Sequence, residues 1–187
     1  MSEKPEILHQ SIVSKSRLFT VEAIDYRFSN GVERSYERLV PGGSGAVMMV
    51  AMLDDEHVAL IREFGGGIEE YTLTLPKGAV DLGETLVEAA NRELQEEIGF
   101  AAKKITFLKN MSLSPSYIKG GIDVFLAQGL YPSQLEGDEP EPLELVKWPM
   151  DKLHELAMRE DCTEGRAIAA LYLARDFLVQ QALAQST

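Results

Sequence analysis

Residues 78–100 read GAVDLGETLVEAANRELQEEIGF, a stretch in which charged, apolar and glycine residues recur at fixed intervals. The pattern is G-x5-E-x7-R-E-U-x-E-E-x-G-U, where U is a bulky aliphatic or aromatic residue. At average composition each specified position matches by chance about one time in ten or twenty, so chance does not explain a full match. The specified positions are Gly78, Glu84, Arg92, Glu93, Leu94, Glu96, Glu97, Gly99 and Phe100.

A helix is predicted inside this stretch, because both of its ends carry recognisable signals. Thr85 followed three residues later by Glu88 matches a capping box, in which each side chain bonds the backbone N–H of the other residue. Gly99 after Ile98 is a typical C-terminal stop, since glycine adopts the left-handed conformation easily. The predicted helix therefore lies between these two signals.

The predicted helix carries three carboxylates on one face. Glu93 and Glu97 are four residues apart, and Glu96 lies three residues after Glu93. Like charges at this spacing destabilise a helix by roughly 0.2–0.5 kcal/mol per pair, an effect that a bound cation reverses. Ligands that are all oxygen suit Mg²⁺, with Mn²⁺ as a possible substitute. The three carboxylates are therefore candidate metal ligands.

An acidic run on a helix is more often a solvated surface than a metal site. The flanking glycines, glutamate and arginine of the motif favour the metal site in this chain. Arg92 is expected to hold Glu84 or a metal-binding carboxylate in place rather than to contact substrate. Glu96, Glu97 and Arg92 are the candidate catalytic residues of the helix.

The composition restricts the class of protein. A chain of 187 residues suits one domain, or one domain with a small appendage. A net charge of −12 and a pI near 4.7 argue against a nucleic-acid partner, which requires clustered Lys and Arg. We find no apolar run of about 18 residues and no leader pattern, so neither a membrane partner nor a signal peptide is predicted. The single cysteine, Cys162, cannot form an internal disulfide, and the predicted compartment is the cytoplasm.

The N-terminal residues predict a small β unit. Residues 1–16 are polar and loosely specified, so no element is predicted there. Residues 19–28 and 32–39 alternate well enough for two strands. Asn30-Gly31 between them is a strong hairpin signal.

The glycine-rich segment 41–45 is a flexible connection, and we place a boundary there. The chain is thereby divided into an N-terminal β unit, 1–44, and a catalytic domain, 45–187. The second part mixes strands with helices, the pattern of a sheet packed between helices. Strands are predicted at 46–53, 57–62, 71–75, 104–113, 122–130 and 143–148, and further helices at 150–158 and 164–182.

The motif of residues 78–100 is the Nudix box, so the chain resembles the Nudix hydrolase family. The resemblance implies a pyrophosphohydrolase that cuts a nucleoside diphosphate joined to a second group X with the help of a divalent metal. It implies an α/β fold, the Nudix α/β/α sandwich with a mixed sheet. It also implies that the backbone carbonyl of Gly78 is a further metal ligand.

A β unit that precedes a Nudix domain resembles the ADP-ribose pyrophosphatase branch, whose members are dimers with exchanged N-terminal units. The resemblance implies that this chain is a homodimer. In that branch a proline near a serine follows the box, and Ser114-Pro115 occupies that place here. The branch takes its general base from the loop before the late strand, which points to Glu139, with Glu141 next.

Further segments resemble members of this branch that cleave ADP-ribose, diadenosine polyphosphates and NADH and release AMP. They are residues 16–22, 28–31, 36–38, 88–94, 130–132 and 137–142. Thr74 stands where many ADP-ribose enzymes have an acid, and Lys77 adds a cation beside the phosphate site. These two departures imply a set of ADP-containing substrates rather than ADP-ribose alone.

Substrate contacts are predicted from residue type. Arg38 and Arg62 are candidates for phosphate or ribose, since guanidinium binds phosphate bidentately. Tyr36 or Phe64 can stack on adenine. Structural roles explain these residues equally well: the arginines as surface residues on edge strands, and the aromatic side chains as part of the core. Three alternative functions stay open: a Nudix hydrolase of nucleoside triphosphates or sugar nucleotides, a catalytically silent Nudix domain that senses ligands, and an enzyme that removes RNA caps, against which the acidic charge speaks.

Overall fold

The computed structural model of the protein describes residues 3–185, and the chain begins with a three-stranded antiparallel sheet. The strands are β1 Glu6–Lys15, β2 Phe19–Arg27 and β3 Glu33–Pro41. They lie in the order β1-β2-β3, and β2 and β3 form the hairpin that the sequence predicted. Gly31 at the turn has φ 80°, a conformation that favours glycine over residues with a side chain.

Strand β1 shows that the expectation for residues 1–16 was wrong over the part that the structure describes. Its apolar side chains come as two adjacent pairs, Ile7-Leu8 and Ile12-Val13, instead of alternating. The pairing of β1 with β2 shifts register after Ile7 and again after Ile12. A bulge places an extra residue in one strand and interrupts the alternation of sides. The period of two that identifies a strand is therefore absent from the sequence.

A seven-stranded mixed sheet follows; the sequence predicted a mixed sheet and six of these strands, but not the short strand at 77–79. Its strands are β4 Ala46–Met52, β5 His57–Gly65, β6 Glu70–Thr74, β7 Lys77–Ala79, β8 Phe100–Ser112, β9 Gly121–Pro132 and β10 Glu144–Pro149. The order is β10-β5-β4-β9-β8, with β6 beside β5 and β7 beside β4. The central pair β4–β9 is parallel, whereas the neighbouring pairs are antiparallel.

Helices cover both faces of this sheet and complete the α/β/α sandwich. They are α1 Leu86–Glu97, α2 Leu153–Ala157 and α3 Gly165–Gln185, with a 3-10 turn at Met150–Lys152. Strand β4 is buried on both sides: Val47 and Met49 pack in the core below α1, and Met48 and Val50 pack toward α2 and α3. The sequence of a strand that is buried on both faces is a continuous run of apolar residues. Among the helices within residues 3–185, none has the length and apolar character needed to cross a membrane.

The N-terminal sheet contacts the rest of the chain at residues 114–120. The backbone N–H of Leu39 donates to the carbonyl of Tyr117 at 2.7 Å, and the N–H of Lys119 donates to the carbonyl of Leu39 at 2.9 Å. Apolar side chains of the N-terminal unit are nevertheless more than half exposed: Ile7, Ile12, Val13, Leu18 and Phe19. The sheet therefore has a large apolar surface that its own chain does not cover.

Candidate active site

Helix α1 is fixed at its ends and along one side. The N–H of Thr85 donates to Glu88 Oε2 at 2.8 Å, and the N–H of Glu88 donates to Thr85 Oγ1 at 3.3 Å, which confirms the capping box. Gly99 has φ 75° just beyond the helix, as expected of a C-terminal stop. Ala90 and Leu94 are fully buried against the sheet. Because the apolar side of α1 is fixed, the direction of its acidic side is fixed as well.

Arg92 organises the carboxylates of the motif. Its Nε and Nη2 donate to the two oxygens of Glu84 at 3.0 and 3.1 Å, and Nη2 also donates to the carbonyl of Ala79 at 2.8 Å. Its Nη1 donates to Glu93 Oε1 at 2.9 Å and to Glu96 Oε2 at 2.8 Å. These bonds use every N–H donor of a guanidinium group. Arg92 is therefore positioned to orient carboxylates, and the bond from Arg92 holds the pKa of Glu84 below its ordinary value.

Gly78 and the two outer carboxylates of the helix pack closely together. A Cβ atom placed on Gly78 would lie 2.0 Å from the carboxyl carbon of Glu93, so the site has room for glycine alone. The backbone N–H of Lys77 donates to Glu97 Oε2 at 3.0 Å. Burial raises the pKa of Glu97 to about 8 and also raises the pKa of Glu93. Such crowded, desolvated carboxylates favour a cation at their side.

The loop that follows β9 brings a further carboxylate to the helix. Glu139 lies across a cavity of about 440 Å³ from Glu93, Glu96 and Glu97. Burial raises the pKa of Glu139, and the nearby charge of Glu63 raises it further. The cavity, which we call the carboxylate cavity, is lined by Lys77, Gly78, Ala79, Asp81, Arg92, Glu93, Glu96, Glu97, Glu136, Gly137, Asp138 and Glu139.

Both ends of the loop that carries Glu139 are anchored. At its start the hydroxyl of Ser133 donates to Gln95 Oε1 on α1 at 2.8 Å. At its end the hydroxyl of Tyr71 on β6 donates to Glu141 Oε1 at 2.5 Å. Glu141, the second candidate for the general base, is thus bonded to Tyr71 and does not line the carboxylate cavity. No local pattern predicted the role of Tyr71, because its partner is 70 residues away in sequence.

The donor atoms of the carboxylate cavity suit a hard divalent ion. The ligand candidates are carboxylate oxygens and the Gly78 carbonyl, and oxygen-only sets bind Mg²⁺ or Mn²⁺. Within residues 3–185, however, no three His, Cys, Asp or Glu side chains converge on a single point that could hold a metal. Glu93 and Glu96 instead share Nη1 of Arg92. Each of these carboxylates gives one oxygen to Arg92, so its second oxygen can face an ion, and the ligand set stays a prediction.

Three of the predicted substrate contacts lie in a second cavity, of about 490 Å³, between the N-terminal sheet and residues 114–120. Tyr36, Arg38 and Pro115 line it. Arg38 Nη2 lies 2.7 Å from Glu22 Oε2, and that bond lowers the pKa of Glu22. The carbonyl of Ser114 accepts the N–H of Tyr117 at 2.9 Å and so forms the turn of that segment. The assignment of these residues to substrate stays a prediction.

Arg62 lines neither cavity. Its Nε donates to Glu144 Oε2 and its Nη1 to Asp161 Oδ2, both at 3.1 Å. The structure thus assigns Arg62 two ion pairs that join β5 to β10 and to the segment before α3. Phe64, the other aromatic candidate, stacks edge-on against Tyr71 with ring centroids 5.3 Å apart.

A mixed sheet between helices, with this motif on a helix beside an acidic cavity, is the arrangement of one class of hydrolase. The chain belongs to the Nudix hydrolase family: a model described as the NUDIX domain matches residues 44–170. A second model, described as the NudE-type Nudix hydrolase N-terminal domain, matches residues 5–38. The chain is thus a Nudix pyrophosphohydrolase, a family whose members generally use divalent metals.

The similarity to known proteins covers nearly the whole chain. The ADP compounds hydrolase NudE of Escherichia coli (strain K12) is 50% identical over 179 residues, which cover 96% of each chain. The ADP-ribose pyrophosphatase of Bacillus subtilis (strain 168) is 29% identical over 89% of this chain and 93% of its own. A crystal structure of an ADP compounds hydrolase matches with a TM-score of 0.88 and 50% identity, and the match covers 97% of both chains.

Proposed function

We propose that this chain hydrolyses the pyrophosphate bond of ADP-containing compounds, among them ADP-ribose, diadenosine polyphosphates and NADH, and releases AMP. The observation that carries the proposal is the 50% identity to an ADP compounds hydrolase over 96% of both chains. The carboxylate cavity supports it, because the residues that the chemistry needs lie together there. Thr74 and Lys77, which depart from the pattern of many ADP-ribose enzymes, agree with a set of substrates wider than ADP-ribose alone.

We assign the metal to the same cavity and expect it to be Mg²⁺, with Mn²⁺ as a substitute. Glu93, Glu96, Glu97 and the carbonyl of Gly78 would hold it. When bound, a divalent ion neutralises charge on the phosphate oxygens and lowers the pKa of water. The protein supplies the remaining parts: Arg92 orients the carboxylates, and Glu139 takes a proton from the attacking water.

Product analysis tests the proposed function. ADP-ribose, NADH, diadenosine triphosphate and dGTP are each incubated with the wild-type protein and Mg²⁺. We expect AMP from the first three substrates and no product from a Glu97→Gln variant. Cleavage of dGTP alone would assign the chain to the nucleoside triphosphate hydrolases. Absence of any cleavage would favour the ligand-sensing alternative.

Glu139→Gln should lower turnover by at least tenfold with little change in KM, because general-base catalysis is typically worth about 10²–10⁴ in rate. The measurement is steady-state kinetics on the best ADP compound. Glu141→Gln is the matched control, since a glutamine oxygen can still accept the bond from Tyr71. Unchanged turnover in Glu139→Gln would remove this residue from the mechanism.

We further propose that the chain is a homodimer in which residues 1–44 pack on the partner's catalytic domain, 45–187. The exposed apolar side chains of the N-terminal unit support this, because such a surface is stabilised by burial in a second copy. An isolated hairpin such as that of β2 and β3 is also only marginally stable in water. The cytoplasm stays the predicted compartment, supported by a lone cysteine that the fold buries.

If the N-terminal units are exchanged, Arg38 of one chain contributes to the active site of its partner. Mixing an inactive Arg38→Ala variant with an inactive Glu97→Gln variant, followed by subunit exchange, should then restore about a quarter of wild-type activity, because half the dimers gain one intact site. Each variant incubated alone is the control. No recovery, in samples shown by mass spectrometry to contain mixed dimers, would contradict sharing of the site.

A further inference from the structure

The residues that line the carboxylate cavity are mainly negative, like the substrate, and therefore repel it. Pyrophosphate compounds are anions, yet acidic side chains dominate the lining and only Lys77 and Arg92 there are cationic. The acidic residues are Asp81, Glu93, Glu96, Glu97, Glu136, Asp138 and Glu139. A metal ion offsets part of this charge, but a phosphate chain also needs donors that face it directly.

Arg92 does not provide such donors. Its five N–H groups are taken by Glu84, Glu93, Glu96 and the carbonyl of Ala79. Turning Arg92 toward a substrate would break bonds that orient the helix carboxylates. Of the two cations in the lining, Lys77 is therefore the one that can bind phosphate without disrupting the site.

Lys77, which lines the carboxylate cavity, is held both through its backbone and through its ammonium group. Its backbone is fixed by the bond to Glu97 and by the pairing of β7 with Met48 on β4. Its Nζ bonds Glu63 Oε2, a residue of β5. An ammonium group has three donors, and Glu63 accepts one of them. The side chains are 21% exposed for Lys77 and 28% exposed for Glu63, so the pair is not enclosed by the protein.

We propose that Lys77 binds the phosphate oxygens of the substrate and favours longer phosphate chains, and that Glu63 weakens this binding by holding the ammonium group. This inference rests on the proposed function for its substrates. An ammonium group acts on phosphate as a point charge. Its attraction grows with the number of anionic oxygens within reach, so diadenosine triphosphate gains more from it than ADP-ribose does.

Kinetics of Lys77→Gln, Glu63→Gln and the double variant test the inference on these two substrates. We expect Lys77→Gln to raise KM for diadenosine triphosphate about tenfold and for ADP-ribose about threefold, with kcat nearly unchanged. Glu63→Gln should lower KM for diadenosine triphosphate about threefold. In the double variant the Glu63 substitution should have no further effect, because Glu63 acts through Lys77. Lys104→Gln, an exposed lysine on β8, controls for the loss of one positive charge.

A purely structural ion pair predicts a different outcome, in which both single variants lose thermal stability and kcat together. That result, or equal KM changes for the two substrates, would overturn the inference. The proposed function is judged separately by the wild-type rates. If the wild type cleaves neither compound, calorimetry with ADP and Mg²⁺ still decides the role of Lys77: weaker ADP binding by Lys77→Gln than by Lys104→Gln supports it, and equal binding refutes it.

Discussion

Replacing Glu97 with glutamine should lower kcat by about 10³-fold, because the loss of an expected metal ligand would remove several kcal/mol of charge stabilisation from the transition state. The side chain of Glu97 is held toward the carboxylate cavity by the backbone N–H of Lys77. A glutamine oxygen can still accept that bond, so the shape of the site is kept and its charge is lost. Single-turnover kinetics on ADP-ribose measures this effect on the chemical step.

The same substitution should stabilise the metal-free protein near neutral pH. The pKa of Glu97 rises from 4.5 to about 8 in the folded state, chiefly through burial. Between these values the folded protein keeps a proton that the unfolded chain releases, so stability falls as the pH rises through this interval. Glutamine cannot ionise and avoids this loss. We expect the free energy of unfolding at neutral pH to increase on the order of 1–3 kcal/mol.

Thermal unfolding in a chelating buffer, compared at acidic and neutral pH, measures the effect on stability. The gain from Glu97→Gln should be present at neutral pH and absent below the ordinary pKa of the carboxyl group. Glu88→Gln on the same helix should change stability in the opposite direction, because the bonds of the capping box lower the pKa of Glu88 and its charge therefore stabilises the fold at neutral pH. A variant that is both inactive and less stable than the wild type at neutral pH would contradict this account of Glu97.

Gly78→Ala should reduce activity by about 10²–10³-fold, with a smaller effect on stability. The added Cβ would lie 2.0 Å from the carboxyl carbon of Glu93 and 2.1 and 2.2 Å from its two oxygens. The flexible end of Glu93 can move aside, but it then leaves both Arg92 and the position from which it is expected to bind metal. Overpacking of this kind typically costs about 1–3 kcal/mol.

Gly66→Ala is the matched control, because a Cβ on Gly66 meets nothing within 4 Å and its φ is not positive. The two variants are compared by kcat and by the Mg²⁺ concentration that gives half-maximal rate. We expect a raised Mg²⁺ requirement in Gly78→Ala alone. Full activity of Gly78→Ala at wild-type Mg²⁺ levels would show that the close packing of Glu93 on Gly78 has no catalytic role.

The predictions from sequence were most accurate where the interactions are local. The capping box of Thr85 and Glu88 and the stop at Gly99 defined helix α1 nearly to the residue. The expectation that Arg92 holds Glu84 or an adjacent carboxylate agrees with the bonds it makes. Such contacts join residues within one or two helical turns, so their spacing in the sequence already contains the geometry.

Predictions were less complete where two distant segments meet. Strand β1 was missed, because its bulges remove the alternation that marks a strand. The ion pairs of Arg62 with Glu144 and Asp161 could not be predicted, because both partners lie far from it in the sequence; its assignment to substrate stays a prediction. Glu63 and Tyr71 were not considered for the site at all.

The sequence by itself determined the family motif, the helix that carries it, the order of the helices and of the strands other than β1 and β7, and the identity of the acidic ligand candidates. Only the tertiary structure decided that Lys77 and Glu139 share the carboxylate cavity with α1, and that Glu63 and Tyr71 bond to Lys77 and Glu141 beside it. The physical reason is the range of the interactions. Helix periodicity and capping depend on neighbours a few residues away, whereas the positions of β5, β6 and β7 beside the loop before β10 depend on the packing of the whole core.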